Sequence, residues 1–198
     1  LELLAAVADQ RPGGTIVMVG PVVKIDEAAL PRRANIAYLG GKTYDELPAY
    51  AAGWDVALMP FAINAATKFI SPTKTPEYLA AGLPVVSTPI KDVIRHYGEI
   101  EAVAIAATSD EFIAACERLL AFDKAPDAPW LVEADALLSK LSWNSVVNDM
   151  RLLIEEKRAA HRGGNDGGGG GNGARPHYDY LVVGAGYAGA VMAERLAA

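Results

Sequence analysis

Five short runs, Thr15–Val19, Asn35–Leu39, Asp55–Met59, Pro84–Ser87 and Ala102–Ala106, are nearly continuous in Val, Ile, Ala and Leu. Strands that read this way are covered on both faces. Around them, apolar positions recur at helical spacing over Leu1–Asp9, Asp45–Ala52, Thr75–Ala81 and Asp92–Tyr97. The alternation predicts an α/β fold, a Rossmann-like doubly wound parallel sheet with helices on both faces. Three more helices are expected, over Asp110–Phe122, Pro129–Leu141 and Ser142–Ala160. The last gathers Val146, Val147, Met150, Leu153 and Ile154 on one face and leaves charge on the other. The pattern begins inside a helix that lacks its cap and stops inside another, so both ends read as truncated.

The periodicity breaks at "GGNDGGGGGNG", residues 163–173, which holds eight glycines, two Asn and one Asp. Such a stretch cannot offset the entropy of ordering it and is expected to be a flexible tether. Three segments follow: a domain over 1–160, a Gly-rich linker over 161–177, and a terminal piece over 178–198. That piece, "YDYLVVGAGYAGAVMAERLAA", carries G-x-G-x-x-G at Gly184, Gly186 and Gly189 between an apolar strand pattern and a helix-forming run. The first glycine allows a tight turn, the second lets backbone approach a pyrophosphate, and the third lets helix pack on strand. The bland alternative is an ordinary glycine turn. An acidic residue about 20 positions further on, which would hold a ribose, falls beyond Ala198. The segment resembles the start of FAD-dependent flavoproteins, most closely UDP-galactopyranose mutase. The resemblance implies FAD as cofactor of an intact partner domain; one strand and one helix form an isolated βα Rossmann stub that should not bind FAD alone.

Charge and composition narrow the function classes. Eighteen Lys and Arg against 24 Asp and Glu give a net charge of −6 with no basic stripe, which argues against nucleic acid. No apolar run is long enough for a transmembrane segment. The single cysteine, Cys116, lies in a helical pattern and reads as a buried structural thiol in a reducing, cytoplasmic setting. His96, His161 and His177 are isolated, and no D-x-D occurs, so no metal is expected.

The chemistry concentrates in "FISPTKTPEYLAAGLPVVSTP", residues 69–89. Thr75 is a suitable N-cap, Pro76 suits the first helical position, and Glu77 suits the dipole of the first turn. Gly82 ends the helix and Pro84 precedes the next buried strand. Local physics does not account for Ser71, Pro72, Thr73 and Lys74 crowding the helix entrance. A lysine there is unfavourable unless an anion, such as a diphosphate, offsets it.

This stretch is similar to the donor-binding C-terminal domain of retaining, nucleotide-sugar-dependent GT-B glycosyltransferases. The family pattern P-x-K-x-x-E-Y-L-A-x-G-x-P-V-V is met by Pro72, Lys74, Glu77, Tyr78, Leu79, Ala80, Gly82, Pro84, Val85 and Val86. Further likeness lies in "IVMVGPVVKID" (16–26), "NIAYLGGKTYDELPAY" (35–50), "WDVALMPF" (54–61) and the helix opened by Trp143. The resemblance implies the C-terminal half of a GT-B fold, a nucleotide-diphosphate sugar as donor substrate, and Glu77 as acceptor of ribose hydroxyl bonds. Lys74, Ser71, Thr73 and backbone near Gly20 would face the diphosphate. It also implies an N-terminal GT-B domain upstream of Leu1, an unknown glycan or lipid-linked acceptor, and a cytoplasmic location, with the inner membrane face open to the intact protein.

The sequence departs from the family at Phe69, where many members carry a Glu eight residues before Glu77. Thr67, Ser71 or backbone amides are the candidates to replace it. Each functional residue has a bland counterpart: Glu77 as a dipole-complementing carboxylate, Lys74 as a solvated charge, Gly20 as turn chemistry. Lys24 and Lys42 read as surface charges, His96 as a helix C-terminal donor, and Tyr44 and Tyr50 as helix packing rather than base stacking. The leading function is therefore a glycosyltransferase donor half joined to a mutase-like flavoenzyme, with no catalytic base assigned. The alternatives are a non-catalytic nucleotide-sugar-binding module, a GT-B epimerase, whose acid and base carboxylates are not evident here, and a doubly wound domain without a ligand. Residues 1–198 alone are expected to show no turnover, since a GT-B site needs both domains.

Overall fold

A computed structural model of the chain describes residues 1–23, 25–67 and 70–162. The chain divides into two units, Leu1–Leu138 and a second that begins at Ser139. In the first, the strands β1 (Ile16–Val19), β2 (Ile36–Gly40), β3 (Ala57–Met59), β4 (Val85–Ser87) and β5 (Val103–Ile105) all fall within the expected runs, Gly40 excepted. They alternate with α1 (Glu2–Gln10), α2 (Leu47–Ala51), α3 (Lys74–Ala80), α4 (Lys91–Tyr97), α5 (Ser109–Leu120) and α6 (Pro129–Leu138). Every strand pair is parallel.

The expected sheet is hydrogen-bonded in two pieces. β1 pairs with β2, while β4 sits between β3 and β5 in a three-stranded sheet. Both pieces border one core cluster, since Ile16 of β1, and Val56 and Leu58 at β3, pack against the same buried residues. The two faces of β4 explain why its sequence is uniformly apolar. Val85 belongs to a cluster with Leu79, Val93, Trp130 and Ala134, whereas its neighbour Val86 belongs to another with Val7, Phe112, Cys116 and Leu119. Successive residues of a strand point to opposite faces, so helices α3 and α6 cover one side and α1 and α5 the other. This is the doubly wound, Rossmann-like arrangement that the alternation predicts. Cys116 is buried as expected, and burial pushes its thiol up to about 11, which leaves it an inert packing group.

Most helix boundaries shift by a residue or two from the expectation, and three differences matter here. The helix expected over Asp45–Ala52 splits into a 3-10 turn, Tyr44–Glu46, and the short α2, because Pro48 enters the first turn of α2 and supplies no N–H. The α6 helix stops at Leu138 rather than Leu141. The α3 helix begins at Lys74, so its N-cap is Thr73 rather than Thr75, and Pro76 is its third residue rather than its first. At the other end of α3 the expectation holds. Gly82 adopts φ +71, the Leu83 N–H bonds the Tyr78 carbonyl (2.9 Å) and the Gly82 N–H bonds the Leu79 carbonyl (3.0 Å). That is a Schellman ending, which requires a left-handed residue where a glycine stands.

The second unit contains α7 (Trp143–Arg162). Ser142 and Ser145 open it reciprocally, the Ser145 N–H bonding the Ser142 hydroxyl at 3.0 Å and the Ser142 N–H bonding that of Ser145 at 3.1 Å. Of the expected apolar face, Val147 is buried while Val146, Met150 and Leu153 are exposed. Among the described residues no helix is long and apolar enough to cross a membrane.

Candidate functional site

The carboxyl ends of β3 and β4 and the start of α3 meet at Met59. The Met59 carbonyl accepts the Thr88 N–H at 3.2 Å and the Phe61 N–H at 3.0 Å, and the Thr88 hydroxyl reaches it at 3.4 Å. Its thioether receives the Thr75 hydroxyl at 3.5 Å. Thr75, Ser87 and Thr88 are all buried, and the Ser87 hydroxyl donates to the Thr88 carbonyl at 2.8 Å. Thr75 therefore fixes the first turn of α3 onto the end of β3 instead of capping the helix. The sequence pattern did not reveal this, because a hydroxyl just before Pro-Glu carries the ordinary signature of a cap.

The anchored turn presents Lys74 and Glu77 outward. Their side chains form an i,i+3 ion pair, Nζ to Oε2 at 2.5 Å, and remain 48% and 41% exposed. The bond to Glu77 raises the Lys74 ammonium above its usual range, opposed by partial burial, with weaker contributions from Glu77, Tyr78 and Tyr44. The two residues singled out from the sequence are thus brought together, but onto each other. Thr73 lies beside them, exposed, with helical dihedrals (φ −71, ψ −13) and no side-chain cap bond. A cap oxygen usually reaches the second or third amide from an extended backbone, which Thr73 lacks, and its hydroxyl caps neither. Ser71 is also exposed, on the segment leading into the helix.

Gly20 lies at the carboxyl end of β1 with φ +136, and its N–H donates to the Gly40 carbonyl at 2.9 Å. A Cβ there would meet nothing, so the glycine serves backbone conformation and not clearance. Its own amide is already engaged, and only the open space above it is available to a phosphate. Thr67 is likewise committed: its hydroxyl donates to the Ala62 carbonyl and accepts the Asn64 N–H, within a turn where Asn64 Oδ1 holds the amides of Ala66 and Thr67. Lys24, Phe69, residues 163–177 of the expected linker and the glycine motif at Gly184, Gly186 and Gly189 lie outside the described residues, whereas His161 and Arg162, expected to open that linker, are the last residues of α7.

Tyr50 and Tyr44, both expected to pack on a helix, behave differently. Tyr50 is half-buried, with the Lys42 ammonium 5.4 Å from its ring centre, so Lys42 is more than a solvated charge. Tyr44 stands 76% exposed at the head of the 3-10 turn and packs on nothing of the kind. His96 lies in the last turn of α4, as expected, with its ring edge-on to Tyr97.

The first unit is therefore a parallel α/β, Rossmann-like domain with an outward cation–carboxylate pair at the carboxyl ends of its strands, where such folds bind ligands. The family model "Glycosyl transferases group 1" matches residues 1–121, and the chain belongs to that family; its architecture agrees with the GT-B fold. A Bacillus subtilis (strain 168) protein named as a teichuronic acid biosynthesis glycosyltransferase, TuaH, is 30% identical over 129 residues, covering 60% of this chain and 31% of that protein. The chain thus spans about a third of the length of this curated relative.

Proposed function

We propose that this chain is the donor-binding half of a glycosyltransferase that moves a sugar from a nucleotide-diphosphate sugar to a glycan or lipid-linked acceptor. Family membership supports the reaction class. The observation that carries the reading is the paired Lys74 and Glu77 at the exposed head of α3, within the P-x-K-x-x-E pattern.

On this reading the pair is a resting arrangement that opens on binding. Glu77 turns from the ammonium to accept bonds from the ribose hydroxyls, and Lys74 turns to the diphosphate. Because both side chains are well exposed, separating them costs little. As the glycosidic bond breaks, negative charge grows on the departing diphosphate, and a positioned ammonium stabilises that charge more than it stabilises the intact donor. Thr73 and Ser71, both exposed on the segment that leads to Lys74, are the further donors this reading gives that group, and the open space over Gly20 would admit it. No catalytic base is assigned, and the acceptor would be met by the N-terminal GT-B domain that the resemblance implies.

The test is titration of the chain with UDP, GDP, dTDP and their sugars, followed by amide shifts in NMR. Saturable binding of one nucleotide, weakened about tenfold or more by Glu77→Ala, is the expected result; a hydrogen-bonded charge contributes on this scale. Binding unaffected by Glu77→Ala would sink the ribose assignment.

Phe69, standing where many relatives carry a glutamate, favours a second reading in which the unit binds nucleotide sugar without transferring it. Sugar transfer by the longer protein, abolished by Glu77→Ala, would exclude that. The mutase-like stretch at 178–198 leads us to propose that the same protein continues into an FAD-dependent UDP-galactopyranose mutase-like enzyme, which would handle nucleotide sugars of the same kind. That stretch lies outside the described residues, and no step of donor binding passes through it.

A further inference from the structure

Four described tyrosines are covered by other groups. Tyr38 lies beneath the Arg32 guanidinium, 5.0 Å from its ring centre, with its hydroxyl donating to the Pro31 carbonyl. Tyr50 lies beneath Lys42, and Tyr78 and Tyr97 pack against the first core cluster. Tyr44 is the exception. It is the most exposed large apolar or aromatic side chain among the described residues.

Its backbone is nevertheless fixed. Thr43 and Glu46 close the turn, the Glu46 carboxylate accepting the Thr43 N–H at 2.8 Å and its hydroxyl at 2.7 Å. An aromatic ring that is exposed on an immobilised turn loses little conformational freedom when something stacks on it, since only two side-chain torsions remain to be ordered. The turn follows the carboxyl end of β2, and α3, headed by Lys74, follows the carboxyl end of β3, so both stand at the strand ends where such folds bind ligands. These two segments offer an ammonium, a carboxylate and a free aromatic face. A nucleoside diphosphate offers the complementary set, an anionic diphosphate, a diol and a flat π-system.

We propose that the ring of Tyr44 is the surface on which the base of the donor nucleotide stacks. The assignment rests on the reading of Lys74 and Glu77 as diphosphate and ribose contacts, and extends it to the third part of the nucleotide. Stacking is tolerant of base identity because every base has a π-face. Tyr44 thus supplies affinity for the nucleotide, and the choice among bases is made by other groups.

The experiment is calorimetric titration of the full chain, wild type and variants, with UDP, ADP and inorganic pyrophosphate. Tyr44→Ala is expected to weaken UDP about tenfold and ADP by at least as much, the size typical of one lost base–aromatic stack. Pyrophosphate, which has no base, should bind Tyr44→Ala as it binds wild type. Tyr44→Phe keeps the ring and should restore UDP binding to within about twofold. The proposal is overturned if Tyr44→Ala weakens pyrophosphate as much as UDP, if Tyr44→Phe is as impaired as Tyr44→Ala, if a UDP-sugar is weakened while UDP is not, or if UDP is unaffected. Glu77→Ala separates the two assignments. Loss with Tyr44→Ala but not with Glu77→Ala removes the ribose contact and keeps the stack, and loss with Glu77→Ala alone does the reverse. If neither nucleotide nor pyrophosphate binds the chain at millimolar concentration, both assignments fall.

Discussion

Helices α3 and α5 both follow a short parallel strand, both lie against β4, and both have a threonine as N-cap, yet their first turns are built for different ends. At α5, Thr108 has an extended backbone (φ −115, ψ 164), and its hydroxyl accepts the Glu111 N–H at 3.3 Å. Glu111 in return accepts the amides of Ala107 at 2.8 Å and Thr108 at 3.2 Å. The polar groups of that turn satisfy one another, and the helix behind them runs for 12 residues with Phe112, Cys116 and Leu119 buried. At α3, seven residues long, the cap backbone is helical, the Thr73 hydroxyl caps nothing, and Lys74 and Glu77 face solvent. The difference separates a turn that completes its own hydrogen bonding from one that leaves donors, an acceptor and a charge pair outward. Unused polar capacity at the carboxyl ends of parallel strands is what a ligand site requires.

The largest expected effect lies in the α5 half of the comparison. Phe112 is wholly buried at the centre of the second cluster, and Phe112→Ala should lower unfolding free energy by about 3–5 kcal/mol through lost transfer energy and the cavity left behind. Urea unfolding followed by circular dichroism reads it. A loss below about 1 kcal/mol would mean that the cluster collapses around the gap and that α5 is not the fixed wall described here. Glu77→Ala, by contrast, should leave the unfolding free energy within about 0.5 kcal/mol of wild type, because an exposed ion pair contributes little, while it weakens nucleotide binding.

The parts of this arrangement that rest on repetition were legible in the sequence. Five apolar runs marked five strands because a strand covered on both faces admits few polar residues, and β4 meets a separate cluster on each side. Gly82 marked the end of α3 because few residues other than glycine accept its left-handed backbone. Lys74 and Glu77 were legible as a pair from their place in a family pattern. Their mutual ion pair was not, since the pattern records residue types and not which of two partners each prefers in the absence of ligand. Thr75 and Tyr44 were misread for one shared reason. Whether a hydroxyl caps or is buried, and whether a ring packs or stands free, is decided by what lies opposite in space, and for Thr75 that is Met59, 16 positions away.

A smaller effect should appear at Thr108. Thr108→Ala removes one side of a reciprocal cap and should cost about 1 kcal/mol. The same turn gives an acid limb to stability. Backbone bonds from Ala107 and Thr108 hold the Glu111 carboxyl below its usual range. A group whose pKa is lowered on folding binds fewer protons in the native state, so its contribution is fully present above the unfolded value and is lost as pH falls through the lowered folded value. Stability measured from pH 6 downward should therefore fall less steeply in Glu111→Gln than in wild type over that acidic window. Parallel curves would show that the carboxylate does not hold those amides in solution.

The smallest stability change expected is at Thr73, and it is the sharpest test of the comparison. Thr73→Ala is the same substitution at the same helix position as Thr108→Ala, and general capping statistics assign both a similar cost. The dihedrals distinguish them: with φ −71 and ψ −13, Thr73 lacks the extended backbone usual for a cap and makes no cap bond, so none is lost on truncation. Its unfolding free energy should stay within about 0.5 kcal/mol of wild type, the range of ordinary surface changes. UDP affinity is where Thr73→Ala should register, if the Thr73 hydroxyl lies on the diphosphate as proposed. Equal destabilisation by Thr73→Ala and Thr108→Ala would mean that Thr73 caps α3 in solution, and the contrast between a closed turn and an open one would then be lost.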